Sequence, residues 1–262
     1  MRLLTYDGEG SLILTRNLIG NDEVPPYAIL SHTWVEGQEV TFDEFESKQG
    51  KSKSGYDKIV FCAQRAKLDG LDYFWVDTCC IDKKNSTELT EAINSMFKWY
   101  RNAIVCYAYL TDVPAAHSSS TSTDLQNSRW FKRGWTLQEL IAPTSVQFFD
   151  KNGSFLGDRV SLQEQIAGIT GIPSQALQGT PLEMFKIDER KRWARQRETK
   201  LEEDQVYSLL GLLGIYMPLI YGEGRSSALR RLSRELKEIQ IEDSAGIHQF
   251  TNMHWMSIHW KI

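Results

Sequence analysis

The sequence has no apolar run long enough to span a bilayer, no apolar core of signal-peptide length behind Met1, and no excess of positive charge. The first two absences leave no membrane anchor or secretion signal to reason from, so the expected location is the cytoplasm. The third, a net charge of −4 over 262 residues, removes any general electrostatic reason to bind nucleic acid or an anionic membrane. Cysteine is sparse: Cys62, Cys79, Cys80 and Cys106 all lie in apolar stretches. They show neither CxxC pairing nor Cys/His ligand spacing, and reduced, buried thiols follow from that. No metal site is expected. His248, His254 and His259 are too loosely spaced to argue otherwise.

Familiar catalytic patterns are missing too. Gly50-Lys51-Ser52 resembles the end of a phosphate loop, but the position where a Walker loop needs its first glycine is Phe45. No GxGxxG follows a strand, and no nucleophile elbow, HExxH or EF-hand pattern is present. Ser31 and His32 are adjacent on an expected strand, so they face opposite ways and make no hydrolytic pair.

What is present is ordinary globular composition, with 41% hydrophobic and 24% charged residues, and eight tryptophans. Apolar runs at 27–31, 73–81, 104–110 and 145–149 read as strands, and 58–68 and 88–101 carry helical spacing. Ser86 or Thr87 is placed to cap the second helix. The segment 128–140 is expected to be helical in its second half despite Gly134. Alternating strands and helices imply an α/β domain with a parallel sheet flanked by helices. From about Ser161 the pattern is mainly helical, including 202–214 and an amphipathic 225–242. The expected divisions are an α/β core over 1–155, a helical extension over 156–242, and a divergent tail over 243–262. Residues 118–124 read as a low-complexity loop.

Ligands in open parallel sheets bind beyond the carboxyl ends of the strands. Those ends hold Ser31, His32 and Trp34, then Asp77 to Asp82, then Thr111 and Asp112. His32 reads either as a ligand-facing donor or as a hydrogen-bond partner of the Asp77 loop. Asp77 and Asp82 read first as loop carboxylates that accept backbone N–H groups. Trp130 and Trp135 read first as core. Glu139, four residues beyond Trp135, stands out as a lone carboxylate. On spacing alone it is a surface group or a partner for Arg129 or Arg133.

The segments 27–34, 73–82, 91–100, 129–139, 203–211 and 217–224 together closely resemble the fungal heterokaryon incompatibility (HET) domain, over roughly residues 1–240. They are similar to the N-terminal HET region of vegetative incompatibility proteins that continue into a nucleotide-binding NACHT module and WD repeats. This chain stops soon after that region, so self-contained nucleotide sensing and repeat-based recognition are expected to be absent. HET domains are in turn similar to TIR domains, which implies a flavodoxin-like (TIR-like) fold for the α/β core and a role in programmed cell death and innate immunity. In TIR enzymes a helix-borne glutamate cleaves the nicotinamide–ribose bond of NAD, and Glu139 is the matching position.

The resemblance therefore implies NAD as a candidate substrate, with no cofactor required, Glu139 as catalytic residue, and Ser31, His32, Trp34, Asp77, Asp82, Trp130 and Trp135 as ligand-binding candidates. It also implies self-association on activation and NACHT-type or other incompatibility proteins as partners. The competing expectations are a non-enzymatic assembly module and a truncated regulatory decoy.

Overall fold

The four apolar runs lie side by side because each is buried on both faces and can satisfy its backbone only inside a layer. A computed structural model describes residues 1–20, 22–114 and 122–244. Its strands are β1 (Leu4–Tyr6), β2 (Leu12–Leu14), β3 (Tyr27–His32), β4 (Tyr73–Trp75), β5 (Val105–Tyr109), β6 (Val146–Phe149) and β7 (Phe155–Asp158). They form one sheet in the order β2-β1-β4-β3-β5-β6-β7. The central four are parallel, whereas β1 pairs antiparallel with β2 and β4, and β7 pairs antiparallel with β6. The expected purely parallel sheet is thus corrected to a mixed one. The three added strands are only three or four residues long and partly exposed, so they lack the long apolar run that betrays a buried strand.

The helices are α1 (Phe42–Glu46), α2 (Ser54–Leu68), α3 (Asp77–Cys80), α4 (Ser86–Asn102), α5 (Ser122–Asn127), α6 (Thr136–Ile141), α7 (Gln163–Thr170), α8 (Ser174–Leu177), α9 (Ile187–Arg192), α10 (Asp204–Tyr207), α11 (Leu210–Leu213) and α12 (Gly224–Ser244). Two register rows settle the faces. Ser31 sits beside Ala108, and Ala108 beside Phe148; Trp130 packs edge-on against Phe148, and Trp75 of β4 against Trp99 and Tyr100 of α4. The opposite face carries Tyr107, Tyr109 and Phe149 against Phe61 of α2. One continuous apolar core runs from the sheet into the later helices. Gly211 is the tightest seam, because a Cβ there would stand 2.2 Å from Phe97 Cβ. Only glycine lets α11 approach α4 so closely.

Several local expectations are corrected. The run 73–81 is not one strand: it ends at Trp75 and turns into α3, because Val76 N–H and the following thiols bond within the turn. Cys79 and Cys80 are therefore helical, and all four cysteines are free and buried. Helix α4 is capped by Asn85, whose Oδ1 accepts from Thr87 N–H (3.1 Å) and Glu88 N–H (3.2 Å), not by Ser86 or Thr87. The segment 128–140 divides into a 3-10 turn at Arg129–Lys132 and α6. The segment 202–214 divides into α10 and α11. Residues 122–124 of the expected loop begin α5, whereas 118–121 lie outside the described residues, as do 245–262 with the three tail histidines. Strand β7 runs across the expected boundary at residue 155. Among the described residues no helix is long and apolar enough to cross a membrane.

Candidate functional site at the carboxyl ends of the parallel strands

Among the four parallel strands, the first in sequence (β3) lies between the second (β4) and the third (β5). The winding direction of the crossovers reverses there, and the carboxyl ends beside such a reversal, here those of β3 and β5, are where open parallel sheets bind ligands. Ser31 and His32 end β3 at that point and face opposite ways, and each anchors a different polar cluster.

On the α4/α6 face, Trp130 Nε1 donates to Ser31 Oγ at 2.7 Å. The same hydroxyl donates to Glu139 Oε2. Tyr100 lies near the carboxyl and donates its O–H to the Leu30 carbonyl at 2.9 Å. Burial raises the Glu139 carboxyl from 4.5 to about 8, with the Asp77 charge adding to the rise, and the Ser31 and Tyr100 contacts and Arg197 only partly offset it. Glu139 is 6% exposed. It is thus neither a surface group nor a partner of Arg129, whose guanidinium lies against Asp112.

Arg197 joins this cluster from the segment after α9. Its Nη1 donates to the Arg133 carbonyl at 2.8 Å and to Thr136 Oγ1 at 2.9 Å. Burial lowers it to about 9, with Glu139 opposing the shift. At the far end of α6, Arg159 donates to the carbonyls of Leu140 (2.8 Å), Ile141 (3.4 Å) and Thr144 (3.0 Å). Those bonds satisfy carbonyls that a helix end leaves free, and they fix the six-residue helix that carries Glu139.

On the α2 face, His32 Nε2 lies 3.0 Å from Asp77 Oδ1, and Nδ1 lies 3.8 Å from Glu39 Oε2. Lys58 neutralises Glu39 and also donates to the Thr33 carbonyl at 3.0 Å. Burial alone raises Asp77, but Lys83, 3.5 Å away, and His32 outweigh it and hold the carboxyl at about 2. Lys83 Nζ also stands 3.9 Å above the ring of Trp34, which is 48% exposed and offers an aromatic face to a ligand.

The structure therefore brings Ser31, Trp130 and Glu139 into one network and His32, Trp34 and Asp77 into another at the same strand end. Trp130 is fully buried; its ring is closed to ligand stacking and its N–H is spent on Ser31. Asp82 does not join either cluster: its Oδ1 accepts from Lys84 N–H at 3.0 Å and shapes the loop. Trp135 is half-buried, with its indole N–H against Asp204. Sequence reasoning missed Tyr100, Arg197, Lys83 and Glu39 as site residues. Tyr100 ended an apolar helix stripe, and no spacing links Arg197 to Glu139 across 58 positions.

The family model described as "Heterokaryon incompatibility protein (HET)" matches residues 27–118, which covers β3, β4, α4 and β5 but stops before Glu139 and Arg197. The chain is 52% identical over 242 residues, 90% of its length, to the protein named "Vegetative incompatibility protein HET-E-1" of Podospora anserina. It spans 18% of that relative's length. No solved structure matches the chain.

Proposed function

Because this chain is a heterokaryon incompatibility (HET) domain protein of the fungal kind, we propose that it acts in vegetative incompatibility as an effector that promotes cell death, by cleaving the nicotinamide–ribose bond of NAD at Glu139. The observation that carries the proposal is the position of Glu139: a single carboxyl group bonded to the end of β3, where the winding of the sheet reverses. The relative order 2-1-3-4 of the four parallel strands supports a flavodoxin-like, TIR-like reading of the core.

The chemistry asks little of the protein. Nicotinamide carries positive charge in NAD⁺ and leaves neutral, so the departing group needs no proton. A carboxylate stabilises the oxocarbenium-like ribose and orients its hydroxyls, and water then adds to the anomeric carbon and releases a proton, leaving ADP-ribose. Trp34, with Lys83 beside it, offers the exposed aromatic face of the site. Burial favours the neutral form of Glu139, which would serve as the resting form. Ionisation requires that ligand or water enter, or that Arg197 close on the carboxylate, which fits a domain held quiet until it self-associates or meets a partner such as a NACHT-type incompatibility protein.

The burial of Ser31, Trp130 and Glu139 also favours a second reading, in which the network is purely structural and the domain signals by assembly alone. Nicotinamide release from NAD⁺, measured for assembled protein beside Glu139→Gln, separates the two. Release that the substitution abolishes, together with cell killing, supports the enzyme. Killing that persists at full strength in Glu139→Gln refutes it and leaves the assembly module.

A further inference from the structure

Three buried cations lie in the described core, and two have an evident counterweight. Lys58 is paired with Glu39. Arg159 closes a helix carboxyl end, where carbonyl oxygens supply partial negative charge. Arg197 has neither. It is 8% exposed, its Nη1 bonds are to the neutral Arg133 carbonyl and Thr136 hydroxyl, and Nη2 has no partner. No carboxylate lies within 4.0 Å of it among the described residues. Its neighbour Glu139 is near enough to be felt electrostatically, but burial raises that carboxyl toward its neutral form. An unpaired guanidinium is costly to bury, and leaving N–H groups unbonded adds to the cost. Evolution of a purely structural core offers cheaper groups for bonding one carbonyl and one hydroxyl.

Residues 196 and 198 on either side of Arg197 are exposed. Two backbone bonds join the segment to the stretch before α6, Gly134 N–H to the Glu198 carbonyl (2.9 Å) and Glu198 N–H to the Lys132 carbonyl (2.6 Å), and Arg197 N–H donates to the Ala194 carbonyl at 3.0 Å. The surface ion pair of Lys200 and Glu36 at 2.9 Å is a kind of contact that contributes little. The guanidinium is thus buried in a segment whose flanking residues face solvent, close enough to Glu139 to be felt by it.

We propose that Arg197 is an anion-binding residue of the Glu139 site, with Nη2 and its charge receiving a phosphate oxygen of a nucleoside diphosphate ligand. The proposal rests on the reading of Glu139 as part of a nucleotide site, and extends that site to a segment beyond residues 27–118. Arginine suits the task because its planar fork presents several N–H donors to an oxyanion while Nη1 stays fixed on the protein.

The test is calorimetric titration of the full chain with ADP-ribose and, separately, with inorganic pyrophosphate, for the parent, Arg197→Gln, Arg197→Lys and Glu139→Gln. ADP-ribose should bind the parent, pyrophosphate should compete with it, Glu139→Gln should weaken ADP-ribose more than pyrophosphate, and Arg197→Gln should weaken both by about tenfold to a hundredfold. Arg197→Lys keeps the charge but loses the fork, and should fall between; it decides the matter if Arg197→Gln does not fold. Equal affinities across the Arg197 variants overturn the proposal, as does failure of both probes to bind. Binding of pyrophosphate without competition by ADP-ribose overturns it as well, since the anion would then be free phosphate. Arg197-dependent binding without NAD cleavage would keep the anion site and remove the enzymatic reading. NAD cleavage with an unchanged KM in Arg197→Lys would do the reverse.

Discussion

Replacing Glu139 by Gln should change how stability depends on pH more than it changes stability itself. Gln reproduces the hydrogen-bonding pattern of the protonated acid: its carbonyl can accept from Ser31 Oγ and its N–H can donate toward Tyr100. At pH 5 the two proteins should therefore be similar. Glu139 is raised from 4.5 to about 8 in the folded protein, chiefly by burial, so between those values the unfolded chain has lost a proton that the folded one retains. Stability then falls as pH rises through the window, is undiminished below the unfolded value, and levels off once the folded group ionises. At about 1.4 kcal/mol per pH unit, the parent should lose roughly 3 kcal/mol between pH 5 and pH 8 that Glu139→Gln does not lose. Arg197 titrates near 9 and other groups are shared by both proteins, so the difference between the curves isolates Glu139. Urea unfolding of both proteins at half-unit pH steps gives that difference directly. Parallel curves would refute the reasoning, and would mean that Glu139 is ionised in the folded state and paired with Arg197.

Three further substitutions probe how the site is held. Gly211→Ala places a Cβ 2.2 Å from Phe97 Cβ and should cost about 1–3 kcal/mol in thermal unfolding; losses that add fully with those of Phe97→Ala would show that the seam is not where the strain falls. Arg159→Met strips the bonds to the Leu140, Ile141 and Thr144 carbonyls and should cost about 2–4 kcal/mol, with faster hydrogen exchange in α6; unchanged exchange would mean that packing alone fixes the helix. Asn94 donates to the Met217 carbonyl and accepts from Met217 N–H, both at 3.1 Å. Asn94→Ala should therefore loosen the 215–220 segment at a cost of about 2 kcal/mol, seen as protease cleavage there before global unfolding, and protection equal to the parent would contradict the role.

The central strands were legible because burial on both faces demands an uninterrupted apolar run, and 27–32, 105–109 and 146–149 have one. Helices α2 and α4 were legible for the matching reason, their 3.6-residue apolar stripe. The opposed orientations of Ser31 and His32 follow from strand alternation and are seen in their separate partners. Short edge strands and the turn from β4 into α3 carry no comparable signal, since a few residues of partly exposed chain fit many conformations.

The candidate site divides in the same way. Residue type and local order alone placed Ser31, His32, Trp34 and Asp77 at strand ends and put Glu139 in the helical second half of 128–140. Local order could not say that Glu139 would be buried and pushed toward its neutral form, because that depends on the core closing over it, with Tyr100 and Arg197 from separate segments only partly opposing the shift. A pKa is set by the water and charge around a group, and a guanidinium 58 positions away enters that environment only when the chain folds back on itself. The sequence determined which elements form; the tertiary structure decided which charges meet.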